Sequence, residues 1–183
     1  MSIFFTSDTH FCHNRDFIYS PRGFSCIEEH DEAIVERWNS KVKRGDTVYH
    51  LGDVILMDTE KGLDYLKRLN GNIIFLSGNH DTKSRKIQIS ERSTDWKTVS
   101  YFNYDKYSFY LSHYITLTSN FDNKDKPLYR RLINLHGHTH QKSNFAFDDN
   151  PCVYHVGLDS HNCYPVDIEE IIEDIKEKAK EYK

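Results

Sequence analysis

Ile3-Phe4-Phe5-Thr6-Ser7-Asp8-Thr9-His10 is a short apolar run that ends in a carboxylate and an imidazole two residues apart. Segment 2–7 reads as a buried strand, because it is too short for a helix and carries a single threonine among Phe and Ile. The same plan recurs four times further along the chain. Val48-Tyr49-His50-Leu51 runs into Gly52-Asp53, and Ile73-Ile74-Phe75-Leu76 runs into Ser77-Gly78-Asn79-His80-Asp81. Phe109-Tyr110-Leu111 runs into Ser112-His113, and Leu132-Ile133-Asn134-Leu135 runs into His136-Gly137-His138-Thr139-His140. In open α/β sheets the crevice beyond the carboxyl ends of the strands is where ligands sit. If the five runs lie side by side, their polar endings share one rim.

The stretches between the runs set the fold class. Ser25 and Glu28 form an S-x-x-E capping box that predicts a helix to about Arg44, with Ile27, Ile34, Trp38 and Val42 inward and Gly45 at its stop. Segment 59–69 reads as a helix with Leu63, Leu66 and Leu69 inward, and segment 46–51 as a strand. From 99 to 112 the aromatic residues alternate about Asp105-Lys106, which predicts a hairpin. Segment 119–130 is polar and reads as a loop. Leu132–Leu135 and Val153–Val156 read as strands, and Asp167 caps a last amphipathic helix carrying Ile168, Ile171, Ile172, Ile175 and Ala179. Early strands alternate with helices and later strands follow one another. The expectation is one α/β domain over residues 1–183, a four-layer α/β/β/α sandwich of two mixed sheets flanked by helices.

The 183 residues suffice for such a core without staples. With 24 Lys+Arg against 28 Asp+Glu the net charge is −4, so a basic excess for nucleic acid is missing and nucleic acid enters only through a local patch. No apolar run reaches the roughly 18 residues of a membrane helix. The first residues lack a basic n-region, which makes the cytoplasm the expected compartment. Cys12, Cys26, Cys152 and Cys163 contain no CxxC pair and are expected as free thiols. Composition is silent on the oligomeric state. Histidine is abundant, with 11 residues.

Asp8, His10, Asp53, Asn79, His113, His138 and His140 offer imidazole, carboxylate and amide oxygen, a donor set suited to Mn, Fe, Zn, Ni or Co. No cysteine joins them, which argues against a structural thiolate site. Asp8 and His10, like His138 and His140, are two apart, so on a strand or the turn after it both can reach one centre. Gly52, Gly78 and Gly137 precede candidates and allow close backbone approach. Seven donors exceed one four-coordinate sphere. Two divalent ions with two aspartates leave about +2, enough to hold a phosphate ester.

At these residues the sequence resembles the calcineurin-like metallophosphoesterase superfamily. The pattern of that family, D-x-H, G-D, G-N-H-D/E, a lone H and G-H-x-H, is matched in order by Asp8-Thr9-His10, Gly52-Asp53, Gly78-Asn79-His80-Asp81, His113 and Gly137-His138-Thr139-His140. The resemblance implies that Asp8, His10 and His140 hold one ion, that Asn79, His113 and His138 hold a second, and that Asp53 bridges them. It implies that His80 is catalytic, donating to the leaving oxygen while a metal-bound hydroxide attacks phosphorus in line. Manganese is the expected metal. Asp53 is followed by Val54-Ile55-Leu56-Met57-Asp58, and Asp81 stands where protein Ser/Thr phosphatases carry Glu, so a protein phosphatase is disfavoured. The chain looks like the small stand-alone bacterial or phage phosphoesterases. The expected substrate is a small or nucleotide-like phosphodiester or phosphomonoester. A nuclease on the same scaffold and a non-catalytic protein-binding member are the competing readings; the second would lose metal ligands, and none is lost.

Around the motifs, His13 and Arg15 are placed to grip a second phosphate or a base, with Arg22 and Arg85 as weaker candidates of the same kind. Asp81 either orients His80 or caps the next segment. His50 and His136, inside apolar runs, read as hydrogen-bonded core residues, and His30 as a solvated residue on the first helix. His155 and His161 have no assigned role. The aromatic residues of 101–114 read as strand packing rather than a base-stacking platform.

Overall fold

Phe4 and Phe5 are adjacent, both buried, and belong to two different hydrophobic cores. Successive strand residues point to opposite faces, so the strand that carries them must be covered on both sides. That requirement sets the architecture of the computed structural model, which describes residues 1–90 and 96–181.

The chain begins with β1 (Ile3–Thr6), α1 (Asp16–Tyr19), α2 (Ile27–Lys41), β2 (Thr47–His50), α3 (Thr59–Lys67), β3 (Asn72–Leu76), α4 (Lys83–Ile89) and β4 (Trp96–Lys97). It continues with β5 (Val99–Tyr104), β6 (Tyr107–Ser112), β7 (Leu132–His136), β8 (Phe145–Phe147), β9 (Asn150–His155), β10 (Val166–Asp167) and α5 (Ile168–Lys180). The first sheet has the order β10-β1-β2-β3-β4, and the second β5-β6-β7-β9-β8. In the first, β1 to β4 run parallel and β10 antiparallel. In the second, β6, β7 and β9 run parallel between antiparallel β5 and β8. Both sheets are therefore mixed and flanked by helices, as expected.

One core forms where Ile34, Val35 and Trp38 of α2 and Leu66 of α3 meet Phe4, Val48, Ile73 and Phe75. The other joins Phe5, Leu51 and Leu76 to Tyr107, Phe109, Leu111, Ile133, Leu135 and Tyr154, together with four isoleucines of α5. Trp38 is wholly buried and donates its indole N–H to the Asn70 carbonyl at 2.9 Å, tying α2 to the turn after α3.

Several local expectations shift. α2 starts at Ile27 with Cys26 at its N-cap, so Glu29, and not Glu28, reaches back to the Ser25 N–H at 2.8 Å. Glu28 instead pairs with Lys61 at 2.9 Å. The hairpin forms with Tyr104 opposite Tyr107, and Asp105 takes the left-handed conformation its turn demands. Asp167 caps α5 by accepting from the Glu169 N–H at 2.9 Å. The loop over 119–130 holds a single 3-10 turn at Leu128–Arg130. α1, α4, β4, β8 and β10 are too short for a periodicity to reveal. The four cysteines are free thiols. No helix among the described residues is long and apolar enough to cross a membrane.

Trp38→Ala should lower stability by about 3–5 kcal/mol, the usual cost of emptying a large buried aromatic site, read as a drop in the urea midpoint at unchanged slope.

Candidate metal centre

All five polar endings converge. Asp8 and His10 follow β1, Asp53 follows β2, Asn79 and His80 follow β3, His113 follows β6, and His138 and His140 follow β7. Asp8, His10, Asp53, His138 and His140 have φ values of 60°, 49°, 58°, 69° and 48°. Non-glycine residues avoid this left-handed region, and each one held there costs about 1–3 kcal/mol. The conformation turns Asp8 and His10, and likewise His138 and His140, toward one point from alternate positions. Interstrand bonds hold it in place: the Asp8 N–H donates to the Gly52 carbonyl at 3.0 Å and the His10 N–H to the Asp53 carbonyl at 3.1 Å. Gly52 has φ +100°, and a side chain there would meet the backbone of Gly78 and the His113 ring. A side chain at Gly137 would collide with Ser7 and the Asp8 carboxylate.

The donor atoms form two groups, Asp8 with His10 and His140, and Asp8 with Asp53 and His113, each with its atoms within 4.8 Å of one another. His10 Nε2 lies 3.7 Å from Asp8 Oδ1 and 3.8 Å from Asp53 Oδ2. His140 Nε2 is 3.8 Å from Asp8 Oδ1, and His113 Nε2 is 3.4 Å from Asp53 Oδ2. Donors around a first-row ion at about 2.0–2.2 Å stand about 3–4 Å apart, so these separations fit cations. Asp8 Oδ1 and His10 Nε2 are buried and have no hydrogen-bond partner, a costly state that a cation between them would relieve. Asn79 Oδ1 lies 2.9 Å from both His113 Nε2 and His138 Nδ1, which brings the remaining candidates into the cluster.

Neighbouring groups orient the imidazoles. His113 Nδ1 donates to the Leu51 carbonyl at 2.8 Å, and His140 Nδ1 donates to Asp159 Oδ2 at 2.9 Å, which turns each Nε2 lone pair into the cluster. Asp159 is itself gripped by Arg22, whose Nε and Nη2 reach its two oxygens at 3.0 and 2.7 Å. The same Nη2 donates to the Asp8 carbonyl at 2.8 Å, and Nη1 lies 2.9 Å from His30 Nε2. His30 is fully buried and bonded to Asp31 at 2.8 Å, contrary to the expected solvated position, because it buttresses Arg22. Arg22 therefore acts as a clamp behind the first ligand group and does not reach out to substrate. Asp159 went unread in the sequence, although Gly157-Leu158-Asp159 follows a sixth apolar run in the same manner as the other five.

Asp81 neither orients His80 nor caps α4, whose N-cap is Thr82. Its carboxylate accepts from the N–H groups of Asp53, Gly78 and Val54 at 2.7, 2.8 and 3.1 Å and locks the two loops together. His80 is exposed at the rim. Its N–H donates to Asp53 Oδ1 at 2.8 Å, and its carbonyl accepts from Arg85 at 2.7 Å. The His13 ring joins the rim beside His10 and His80, with Nδ1 3.2 Å from His10 Nδ1. Arg15 is exposed next to it.

Burial alone would raise the Asp8 carboxyl, but the neighbouring His10 and His140 imidazoles outweigh it and hold Asp8 well below the ordinary range. Burial likewise opposes the charged forms of His113 and His140, yet Asp53 raises the first and Asp159 the second. His50, His136 and His155 lack such partners, and burial pulls them down to about 3, 4 and 3. They are neutral core residues, as expected for His50 and His136. His50 bonds Thr9 at 3.0 Å, His155 bonds Ser160 at 2.8 Å, and His161 donates to the His155 carbonyl at 2.9 Å.

Residues 1–156 match the family model of the calcineurin-like phosphoesterase superfamily domain, and the chain belongs to that superfamily. It is a metal-dependent phosphoester hydrolase. Among similar proteins, an uncharacterised protein of Methanocaldococcus jannaschii is 32% identical over 97% of this chain and 93% of its own length. The gene 66 protein of Mycobacterium phage D29 is 28% identical over 96% of this chain and 98% of its own. A solved structure of a protein of unknown function from Aquifex aeolicus shares the fold, with a TM-score of 0.70 at 22% identity over 94% of this chain and 98% of that one. Asp159 lies beyond the residues that the family model matches.

Asp159→Asn should weaken divalent-ion affinity about 10–100-fold, the usual consequence of losing an outer carboxylate on a ligating histidine. Calorimetric titration with Mn²⁺ measures this, with the melting temperature recorded separately to exclude unfolding.

Proposed function

We propose that the protein is a dinuclear phosphodiesterase or phosphatase acting on a small or nucleotide-like ester. Asp8, His10 and His140 hold one ion, Asn79, His113 and His138 hold the other, and Asp53 links them. Asp8 stands in both donor groups and contributes to the second as well. The observation that carries this reading is the pair of buried atoms without partners, Asp8 Oδ1 and His10 Nε2, facing one another at 3.7 Å with His140 close by. Manganese suits a set rich in imidazole with carboxylate oxygens. Two divalent cations there would neutralise phosphate oxygens and lower the pKa of water.

The chain's own groups supply the rest. His80 stands at the rim within reach of an ester oxygen leaving the cluster and donates a proton or hydrogen bond to it. Its backbone is pinned on one side by Asp53 and on the other by Arg85, so the ring turns about a fixed base. Asp81 keeps the loops of Asp53 and Gly78 in register, which holds the linking carboxylate under His80. His13 and Arg15 border the same side and bind the substrate there. We read residues 1–183 as one domain working in the cytoplasm.

The purified protein should take up about two transition ions per chain and hydrolyse bis(p-nitrophenyl) phosphate faster with Mn²⁺ than with Mg²⁺, with activity abolished by a chelator. Absence of turnover on diesters and monoesters with Mn²⁺, Ni²⁺, Co²⁺ and Zn²⁺ alike would reject the reading. His80→Ala should retain both ions and lose about 10²–10⁴-fold in rate, the range of a general acid; loss of metal in that variant would make His80 a ligand.

A further inference from the structure

Phe17 is the exposed member of a four-residue helix whose buried residue is Ile18. It leaves 67% of its surface in water, and its ring meets His13 edge-on at 5.6 Å. Tyr114 follows the ligand candidate His113 and is 51% exposed. Its ring stands edge to face on His138 at 4.8 Å and on His113 at 5.2 Å. Among the large apolar side chains exposed in the described residues, these are the two whose rings contact imidazoles of the site. Val99, Tyr101, Leu117 and Tyr129 are exposed elsewhere.

The two rings flank different parts of the cluster. Phe17 stands behind His13, whose ring neighbours His10 and His80 at 5.2 and 6.2 Å. Tyr114 stands behind His113 and His138, which share Asn79. An exposed aromatic face gains little from water and much from a planar partner, and base–aromatic stacking tolerates any base. A phosphomonoester has one substituent to offer, whereas two flanking faces match two.

Resting on the phosphoesterase reading above, we infer that Phe17 and Tyr114 are stacking platforms on either side of the scissile phosphate, and that the substrate is a phosphodiester bearing a planar aromatic or nucleobase-like group on each ester oxygen. Phe17 receives the leaving group on the His80 side and Tyr114 receives the group that stays on phosphorus. Hydrolysis adds water across one P–O bond, so one planar alcohol departs with a proton and the other remains as a monoester. Tyr114 thereby departs from the strand-packing role expected for the aromatic residues of 101–114, which holds for Phe102, Tyr104, Tyr107 and Phe109.

The test compares bis(p-nitrophenyl) phosphate with methyl p-nitrophenyl phosphate, which share a leaving group and differ in the group that stays. Phe17→Ala should raise KM for both esters about 5- to 150-fold, the range of a lost stacking contact, with Mn²⁺ uptake intact. Tyr114→Ala should collapse the wild-type preference for the bis-aryl ester by a similar factor, and Tyr114→Phe should keep that preference. A Tyr114→Ala variant that preserves the preference, or a Phe17→Ala variant with unchanged KM, overturns this inference and leaves the phosphoesterase reading standing. Failure of the wild type to hydrolyse any ester overturns both.

Discussion

The site depends on a backbone constraint that the strands impose on its candidate ligands. Five of the seven candidate donor residues sit in the left-handed region, where residues other than glycine are disfavoured. Bonds between the loops that leave the strands hold Asp8, His10 and Asp53 there, and the Asp8 carboxylate accepts from the His138 N–H at 2.9 Å. Asp8 is bonded to Gly52, His10 to Asp53, and Gly137 to His113. The two cores on either face of β1 supply the rigidity that makes this strain tolerable. Removing the packing would let these residues relax toward ordinary angles and point their side chains apart.

A second layer of polar groups turns this geometry into chemistry. Arg22, held by Asp159 and supported by His30 and Asp31, presses on the carbonyl of Asp8 and fixes the tautomer of His140 through the same carboxylate. Asp81 does the corresponding work for Asp53 with three backbone bonds. Charge burial would be prohibitive for Arg22 or Asp159 alone, but each satisfies the other, and burial opposes ionisation of Asp159 less than Arg22 and His140 favour it. The open rim contrasts with this locked floor. His80, His138 and Asn79 are exposed, and Phe17 and Tyr114 stand beyond them.

Strand-ending ligands made much of the site legible from the chain alone. A carboxylate or histidine directly after an apolar run can be read without knowing what the run pairs with, since a parallel strand must end at the sheet's rim. Long elements were legible for a similar reason: α2, α3 and α5 show helical spacing, and the hairpin of β5 and β6 shows alternation about a two-residue turn. Short elements such as β4 and β10 carry two residues each, too few for any period, and exist because a neighbouring strand offers free N–H and carbonyl groups.

The amino-acid order by itself therefore marked the longer strands, the seven candidate donors and the kind of chemistry, because those depend on local patterning and donor type. Tertiary structure alone decided what stands behind and beside the donors. Arg22 meets Asp159 from 137 residues away, His30 turns inward to brace it, Asp81 binds backbone groups in place of His80, and Tyr114, just past β6, sets its ring edge to face on His138. Such contacts are set by which strand ends lie next to one another in the closed rim, and no spacing along the chain encodes that adjacency.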